Sequence, residues 1–235
     1  MKILIISDLH GNAEALLVLP KDYDQLWVLG DLVNYGPSPC EVIDFVRSNA
    51  TLVVRGNHDH AIGWNTDPRC SGPYRAMAAE MGRFTQSVLA EEDKQYLANL
   101  PLTRAAEVDR SRFYLCHAMP SDPLFAYGPP ESPLWEQEAQ NVTPGYVLVG
   151  HTHLQFRRDI DRRTIVNPGS LGQAKNGAPR ACFAVWTDGR LEFHAEAYPF
   201  RRTIEKIQRL KLPQEIEEGL VATLETGSPR QPATR

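Results

Sequence analysis

The sequence ILIISDLHGN (residues 3–12) joins a short apolar run to two side chains of the kinds that bind metal ions. The run has the length and composition of a β-strand, and Asp8 and His10 follow where that strand ends. Residues two apart on an extended chain point the same way, so these two side chains can grip one ion. The stretch therefore predicts a strand that ends in part of a metal site.

The same pattern occurs four more times along the chain. Asp, Asn or His follows an apolar run at once in LWVLGDL (26–32), LVVRGNHD (52–59), FYLCHA (113–118) and YVLVGHTH (146–153). Six of the seven histidines lie in or beside these endings. Strand ends from distant parts of a chain meet along one edge of a sheet, so the five endings predict one pocket lined by Asp, Asn and His.

Composition narrows the class of protein. The 235 residues, 42% of them apolar, can bury a sizeable core. A net charge of −4 argues against a nucleic-acid surface and leaves room for a small anionic substrate. No apolar stretch approaches the roughly 18 residues that span a bilayer, and the first strand is too short for a signal peptide, so we expect a cytoplasmic protein with no membrane partner. The four cysteines lack paired spacing and predict free thiols.

The order of elements predicts an α/β fold. Strands and helices alternate over residues 2–54, which favours parallel strands, whereas Asp188-Gly189 marks a late hairpin turn. Helical patterns occupy about 60–100, and residues 119–135 read as a loop. We predict one domain over residues 1–225 with a helical insertion or cap at about 60–100, and a flexible tail at 226–235.

The residue types indicate the chemistry. A carboxylate has two oxygens, so Asp31 can bridge two cations about 3.5–4 Å apart, as in two-metal hydrolytic sites. Two divalent ions with the carboxylates of Asp8 and Asp31 leave a charge of about +2, which lowers the pKa of a bridging water and attracts a phosphate ester. Imidazole-rich sites favour Mn, Fe, Zn, Ni or Co over Ca.

Five blocks in a fixed order carry a family resemblance. DLHGN (8–12), GDLVNYGP (30–37), GNHD (56–59), CHA (116–118) and GHTH (150–153) resemble the calcineurin-like metallophosphoesterase superfamily. VNPGSLGQ (166–173) is similar to a further segment of its small bacterial phosphodiesterase-like members. The resemblance implies a four-layer α-β-β-α sandwich of two mixed sheets flanked by helices, with a two-metal site between the strand ends.

The resemblance also implies a role for each residue of the site. One ion would be bound by Asp8, His10, Asp31 and His153, and the second by Asp31, Asn57, His117 and His151. His58 matches the catalytic histidine, which protonates the leaving-group oxygen or stabilises charge on the phosphoryl group. The implied reaction is hydrolysis of a small phosphodiester or phosphomonoester by in-line attack of a metal-bridging hydroxide. Manganese is the first expectation for the metal, and Fe, Zn, Ni and Co are the alternatives.

The second block departs from one branch of the family. In the protein Ser/Thr phosphatases it reads GDxxDRG, where the later Asp orients the catalytic histidine and the Arg holds the phosphate. Asn34 and Tyr35 stand at those two positions here. This departure disfavours a phosphoprotein phosphatase and a dinucleoside polyphosphate hydrolase.

Two alternatives to a small-molecule phosphoesterase remain. One is a non-catalytic metal-binding scaffold or interaction module of the same fold, against which the intact His58 counts. The other is a nuclease, which the acidic charge balance disfavours. The sequence does not indicate the substrate-binding residues, the physiological substrate or the oligomeric state.

Overall fold

Two five-stranded sheets form the centre of the computed structural model, which describes residues 1–143 and 145–228. The strands are, in chain order, β1 (Lys2–Ile6), β2 (Gln25–Val28), β3 (Leu52–Val53), β4 (Thr103–Val108), β5 (Ser111–Cys116), β6 (Gly145–Leu148), β7 (Gln155–Ile160), β8 (Arg163–Pro168), β9 (Arg180–Thr187) and β10 (Arg190–Ala197). The helices are α1 (Pro39–Asn49), α2 (Asn57–Trp64), α3 (Tyr74–Val88), α4 (Glu91–Asn99), α5 (Leu134–Gln140), α6 (Phe200–Gln208) and α7 (Gln214–Thr226), with a 3₁₀ helix at Ala13–Val18.

Both sheets are mixed. The first has the order β10-β9-β1-β2-β3, in which β1, β2 and β3 are parallel and β9 and β10 are antiparallel neighbours. The second has the order β4-β5-β6-β8-β7, with parallel pairs in the middle and an antiparallel pair at each edge. The predicted parallel start and the hairpin at Asp188-Gly189 are thus confirmed, and the carboxyl ends of β1, β2 and β3 share one edge.

Alternation along the strands builds the layers. In β1, Ile3 and Ile5 point into a core between the two sheets, whereas Leu4 and Ile6 point to the helices that cover the first sheet. The inter-sheet core contains the large rings of Trp27, Phe113 and Trp186. On the outer face of the second sheet, Trp135 of α5 packs against the strands. The predicted four-layer α-β-β-α sandwich of two mixed sheets is therefore confirmed.

The 60–100 region contains the end of α2 and all of α3 and α4, so it is largely helical, as its pattern indicates. Helix α3 runs without a break through Gly82. Helix α4 packs on the first sheet through Leu97, and α3 packs on α6 and α7 through Met77 and Met81. The division into a domain at 1–225 with a cap stays a prediction, and most of the expected tail, residues 229–235, lies outside the described residues.

Two further expectations concern the helices and the thiols. None of the helices within residues 1–143 and 145–228 has both the length and the apolar composition needed to cross a bilayer. All four cysteines are free, as their spacing predicts, with Cys116 and Cys182 buried.

Candidate metal centre

All eight side chains that the sequence predicts for the site lie at one edge of the sandwich. Asp8 and His10 follow β1, Asp31 follows β2, and the remaining residues either open α2 or follow β5 and β6. The ligand atoms of the Asp and His side chains form three overlapping groups, and within each group all the atoms lie within 4.8 Å of one another. The groups are Asp8, His10 and His153; His10, Asp31 and His58; and Asp31, His117 and His151. Strand ends from both sheets thus converge on one site.

In the first part of the site, two imidazole lone pairs face each other. Nδ1 of His10 lies 3.1 Å from the carbonyl oxygen of Val33, and Nδ1 of His153 lies 2.6 Å from that of Gln173, so both Nδ1 atoms donate hydrogen bonds. The opposite Nε2 atoms then carry lone pairs in the neutral rings, yet they lie only 3.1 Å apart. Neither can donate to the other, so the geometry calls for a cation between them.

The carboxylate of Asp8 completes this arrangement. Its Oδ1 is buried and has no hydrogen-bond partner among the described residues. The atom lies 3.3 Å from Nε2 of His153 and 3.9 Å from Nε2 of His10. An unpaired buried carboxylate oxygen costs free energy unless a cation compensates it. The residues present therefore fit a metal ion at this point.

The second part of the site repeats the pattern with oxygen ligands. Nδ1 of His117 donates to the carbonyl oxygen of Leu29 at 2.7 Å, which leaves a lone pair on Nε2 of the neutral ring. That Nε2 faces Oδ2 of Asp31 at 3.1 Å and Oδ1 of Asn57 at 3.2 Å, both of which are acceptors. Nδ1 of His151 lies 3.1 Å from the same Asn57 oxygen. The Asn57 amide is oriented by its donation to the Pro68 carbonyl, so its oxygen faces the site.

Asp31 stands between the two parts. Its Oδ2 lies 3.1 Å from Nε2 of His117 and 3.8 Å from Nε2 of His10, whereas its Oδ1 accepts a hydrogen bond from the backbone of His58. One carboxylate oxygen thus faces both groups of imidazoles. The bridging position that the sequence assigns to Asp31 is compatible with this geometry.

The backbone at the site is held in an uncommon conformation. Five of the predicted ligands have positive φ angles: Asp8 at 54°, His10 at 46°, Asp31 at 56°, His151 at 65° and His153 at 63°. Asp, Asn and His adopt this left-handed region more readily than other residues with a side chain, but it still costs free energy. Such strain concentrates at functional sites, where surrounding structure enforces it.

Asp59 is one of the residues that enforce this backbone conformation, and the sequence alone predicts no role for Asp59. Its carboxylate accepts hydrogen bonds from the backbone N–H groups of Asp31, Leu32 and Gly56 at 2.8–3.0 Å. These bonds tie the loop after β2 to the start of α2. A Cβ at Gly56 would collide with the Asp31 carboxylate and backbone, which explains why glycine stands there. The signal that could have identified this role is the GNHD block itself, of which Asp59 is the last residue.

His58 is positioned by Asn34, at the place where the phosphatase branch has its orienting carboxylate. Nδ2 of Asn34 lies 2.9 Å from Nδ1 of His58 and 3.1 Å from the Ala78 carbonyl oxygen, while Oδ1 accepts the backbone N–H of Tyr35. On the other side of the ring, Cys70 Sγ lies 3.4 Å from Nε2. The Asn34 amide therefore makes the contact that orients His58, for which the phosphatase branch uses an Asp carboxylate.

Burial and neighbouring charges shift the protonation of the site in the absence of metal. Burial lowers the pKa of His58 to about 4 and that of His151 to about 3. Burial opposes protonation of His117 too, but Asp31 outweighs it and raises the pKa of His117 to about 9. Burial alone would raise the pKa of Asp31, yet His117 and His58 hold it well below its usual value. In the metal-free protein, the raised pKa of His117 favours its protonated form beside the Asp31 carboxylate.

A family match and a similar named protein identify the superfamily of the chain. The family described as "Calcineurin-like phosphoesterase superfamily domain" matches residues 1–189. A Psychromonas ingrahamii protein named symmetrical bis(5'-nucleosyl)-tetraphosphatase is 43% identical over 221 residues, which are 85% of this chain and 72% of that protein.

Two solved structures share the fold. The crystal structure of a metallophosphoesterase from Sphaerobacter thermophilus superposes with a TM-score of 0.79 at 30% identity, covering 95% of this chain and all of that one. A hypothetical protein of Pyrococcus horikoshii OT3 gives a TM-score of 0.82 at 21% identity, covering 97% of this chain and 99% of that one.

Proposed function

The chain belongs to the calcineurin-like phosphoesterase superfamily, and from that premise we propose that it is a dinuclear-metal-dependent phosphoesterase. One ion would be held by Asp8, His10, Asp31 and His153, and the other by Asp31, Asn57, His117 and His151. The observation that carries the proposal is the pair of Nε2 atoms of His10 and His153, 3.1 Å apart with no proton available between them. The orphaned Oδ1 of Asp8 supports it independently.

The donor set suits manganese, with Fe, Zn, Ni and Co as alternatives, because imidazole and carboxylate ligands are combined. When bound, the ions would lower the pKa of a water and withdraw charge from the phosphoryl group. The protein's own part is to align the reacting groups: Asp31 spans the two halves, and His58 presents Nε2 to an oxygen of the phosphoryl group. These roles describe hydrolysis by in-line attack of the activated water.

A cavity supports a substrate with a sizeable leaving group. It has a volume of about 680 Å³ and lies between α2 and α3. Asn34 and Cys70, which contact the two ring nitrogens of His58, are part of its wall. A donor at His58 faces the leaving-group oxygen in the proposed reaction, so the leaving group would extend into this cavity. Volumes of 300–1,000 Å³, roughly, are typical of ligand pockets.

The substrate class has two candidates. A small phosphodiester or phosphomonoester is the first. A dinucleoside tetraphosphate is the second, because the Psychromonas relative bears the name of that activity over most of this chain. The Asn34–His58 contact removes one of the two objections to it, since a neutral amide orients the histidine.

An activity matrix tests the proposal. The chelator-stripped protein is loaded with Mn, Fe, Zn, Ni, Co or Mg and assayed with bis-p-nitrophenyl phosphate, p-nitrophenyl phosphate and diadenosine tetraphosphate. We expect turnover with at least one transition metal, and a loss of about 100-fold or more in Asp31→Asn, since this residue serves both ions. Asp161→Asn, an exposed substitution, is the matched control.

Three outcomes would contradict the proposal. Equal activity in Asp31→Asn and wild type would remove Asp31 from the chemistry. Two bound metals without turnover of any substrate would instead favour the non-catalytic scaffold. Steady cleavage of single-stranded DNA, but of none of the small substrates, would favour the nuclease.

A further inference from the structure

Two polar side chains next to predicted ligands in the sequence, Tyr35 and Arg55, are committed to contacts other than phosphate binding. Tyr35 stands where the phosphatase branch has its phosphate-holding Arg, and it is buried with its hydroxyl 3.3 Å from Cys70 Sγ. The guanidinium of Arg55 donates to the carbonyl oxygen of Ala98, away from the predicted ligands. A tetrahedral phosphate on two metals still exposes oxygens that need a donor. Besides His58, a further donor to these oxygens would come from elsewhere in the chain.

A loop that follows β8 is fixed on the metal centre. The hydroxyl of Ser170 donates to the carbonyl oxygen of Asp8 at 2.7 Å, and the backbone N–H of Gly172 donates to the same oxygen at 3.0 Å. The carbonyl oxygen of Gln173 accepts the Nδ1 hydrogen of His153 at 2.6 Å. The loop therefore contacts predicted ligands from both sheets, and it holds the backbone just before Lys175 in place.

Lys175 projects from this loop toward the opposite rim of the site. Its ammonium nitrogen lies 4.1 Å from the centre of the Tyr74 ring, at the start of α3. The Tyr74 ring packs near Tyr35, with ring centres 6.2 Å apart, and Tyr35 packs on His58 at 4.8 Å. The Lys175 ammonium thus contacts the first of two neighbouring rings, Tyr74 and Tyr35, the second of which packs on His58.

The charge of Lys175 acts on the site without being neutralised there. Within the described part of the chain, its ammonium has no carboxylate at ion-pair distance and a single ring contact. Burial lowers the pKa of Lys175, and Asp8, Cys70 and Asp31 act against that shift. A half-buried ammonium with unused N–H donors is suited to an incoming anion.

We propose that Lys175 binds a phosphate oxygen of the substrate, in place of the Arg that the second block lacks. The inference rests on the proposed function, because it concerns the same site. Lys175 adds one positive charge to the roughly +2 of two divalent ions and two carboxylates. It therefore favours substrates with more than one negative charge next to the metals, either a phosphomonoester dianion or a chain of phosphates, over the monoanion of a simple diester.

The test measures binding of inorganic phosphate to the metal-loaded full chain by calorimetry. We expect Lys175→Gln to weaken phosphate about 10- to 100-fold, the range for loss of a charge-assisted hydrogen bond. Lys175→Arg should stay within about 5-fold of wild type, because it keeps the charge and the donors. Lys211→Gln, which removes an exposed lysine elsewhere, is the matched control. Metal content and melting temperature are measured for every variant.

Kinetics separate the two substrate classes. Lys175→Gln should raise KM for p-nitrophenyl phosphate and for diadenosine tetraphosphate more than for bis-p-nitrophenyl phosphate, with a smaller change in kcat. A larger effect on the tetraphosphate alone would identify the chain of phosphates, and a larger effect on the monoester alone would identify the dianion. An equal effect on all three would overturn the preference for charge.

A second measurement uses the unaltered protein. Saturating phosphate should slow acetylation of Lys175 at least about 5-fold, as read by mass spectrometry, and leave Lys211 unchanged. Unchanged phosphate affinity in Lys175→Gln, loss of metal in that variant, or acetylation of Lys175 that ignores phosphate would each overturn the inference. Because phosphate binding needs no turnover, its result stands apart from the activity matrix that tests the proposed function.

Discussion

The side-chain amide of Asn34 donates a hydrogen bond to Nδ1 of His58 at 2.9 Å. The direction of this bond is set by the other contacts of the amide, since its nitrogen also faces a carbonyl oxygen and its oxygen accepts a backbone N–H. Nδ1 of His58 must then be the acceptor, so the neutral ring carries its hydrogen on Nε2. The histidine is prepared to donate from Nε2 while staying uncharged.

Replacing Asn34 should therefore change how His58 works. We expect Asn34→Ala to lower kcat about 10- to 100-fold with unchanged metal content, as for loss of a residue that orients a reactive group. Asn34→Asp should raise the pKa of His58, because a carboxylate stabilises the imidazolium. The acid limb of the kcat/KM profile should then move to higher pH. Identical pH profiles for Asn34→Asp and wild type would contradict the orienting role.

The metal-free protein should lose stability in acid because of His58. Its pKa is about 4 in the fold against an ordinary 6.5, so the unfolded chain binds the extra proton between these values. Stability then falls as the pH drops from 6.5 toward 4, and His58→Asn lacks this contribution. The free energy of unfolding of His58→Asn, relative to wild type, should rise by up to about 3 kcal/mol over that range.

Urea unfolding in a chelator at a series of pH values measures the difference between the two proteins. Titrating groups far from His58 contribute equally to both proteins and cancel. Parallel curves for His58→Asn and wild type would show that His58 keeps its ordinary pKa in the fold.

Metal binding should stabilise the fold by an amount that grows with the logarithm of the free metal concentration once the site is filled. At a free Mn concentration about 100 times Kd, one bound ion contributes about 2.7 kcal/mol, which for a chain of this size raises Tm by roughly 5–10 °C. Asp31→Asn should abolish most of the shift, and Asp161→Asn should keep it. Thermal scans with and without chelator give the comparison. The same shift in Asp31→Asn and wild type would place the ion elsewhere.

A methyl group at position 56 should disturb the site without touching any predicted ligand. Gly56→Ala directs its Cβ at the carboxylate and backbone of Asp31, so we expect a loss of about 1–3 kcal/mol in stability and weaker metal binding. Gly82→Ala is the control, since its Cβ would lie 3.8 Å from the nearest side-chain atom and favour the helix. Chemical unfolding and metal titration of the two variants should differ clearly.

Strands β1 and β2, which end in predicted ligands, could be read from sequence because all their residues except the first are buried. The two edge strands of the second sheet, β4 and β7, could not. In β7, QFRRDI, only Phe156 is buried, and in β4, TRAAEV, only Val108 is, so neither shows a continuous apolar run. The start of helix α2 was not predicted, for a different reason. Its first turn consists of predicted site residues, and their polar side chains conceal the helical pattern. An apolar run in the sequence indicates a buried strand, and β4 and β7 have few buried residues.

At the site, the five ordered sequence blocks identified the side chains that are themselves typical metal ligands. The residues that support those ligands are not of a type that suggests a function. Asn34, Asp59 and Lys175 act through contacts 24 or more positions away along the chain, and only the folded backbone brings those partners together. An Asn after a strand, an Asp in a helix and a Lys in a loop are each ordinary in isolation. Their positions in space give them their roles.

The left-handed backbone at the predicted ligands limits how this site could decay during evolution. Asn tolerates that conformation almost as well as Asp, whereas a β-branched residue there would cost about 1–3 kcal/mol. A descendant that abandons the chemistry but keeps the sandwich should therefore accumulate Asn or Gly at positions 8 and 31. The residues at positions 8 and 31 would then indicate the loss of activity before any strand of the fold had changed.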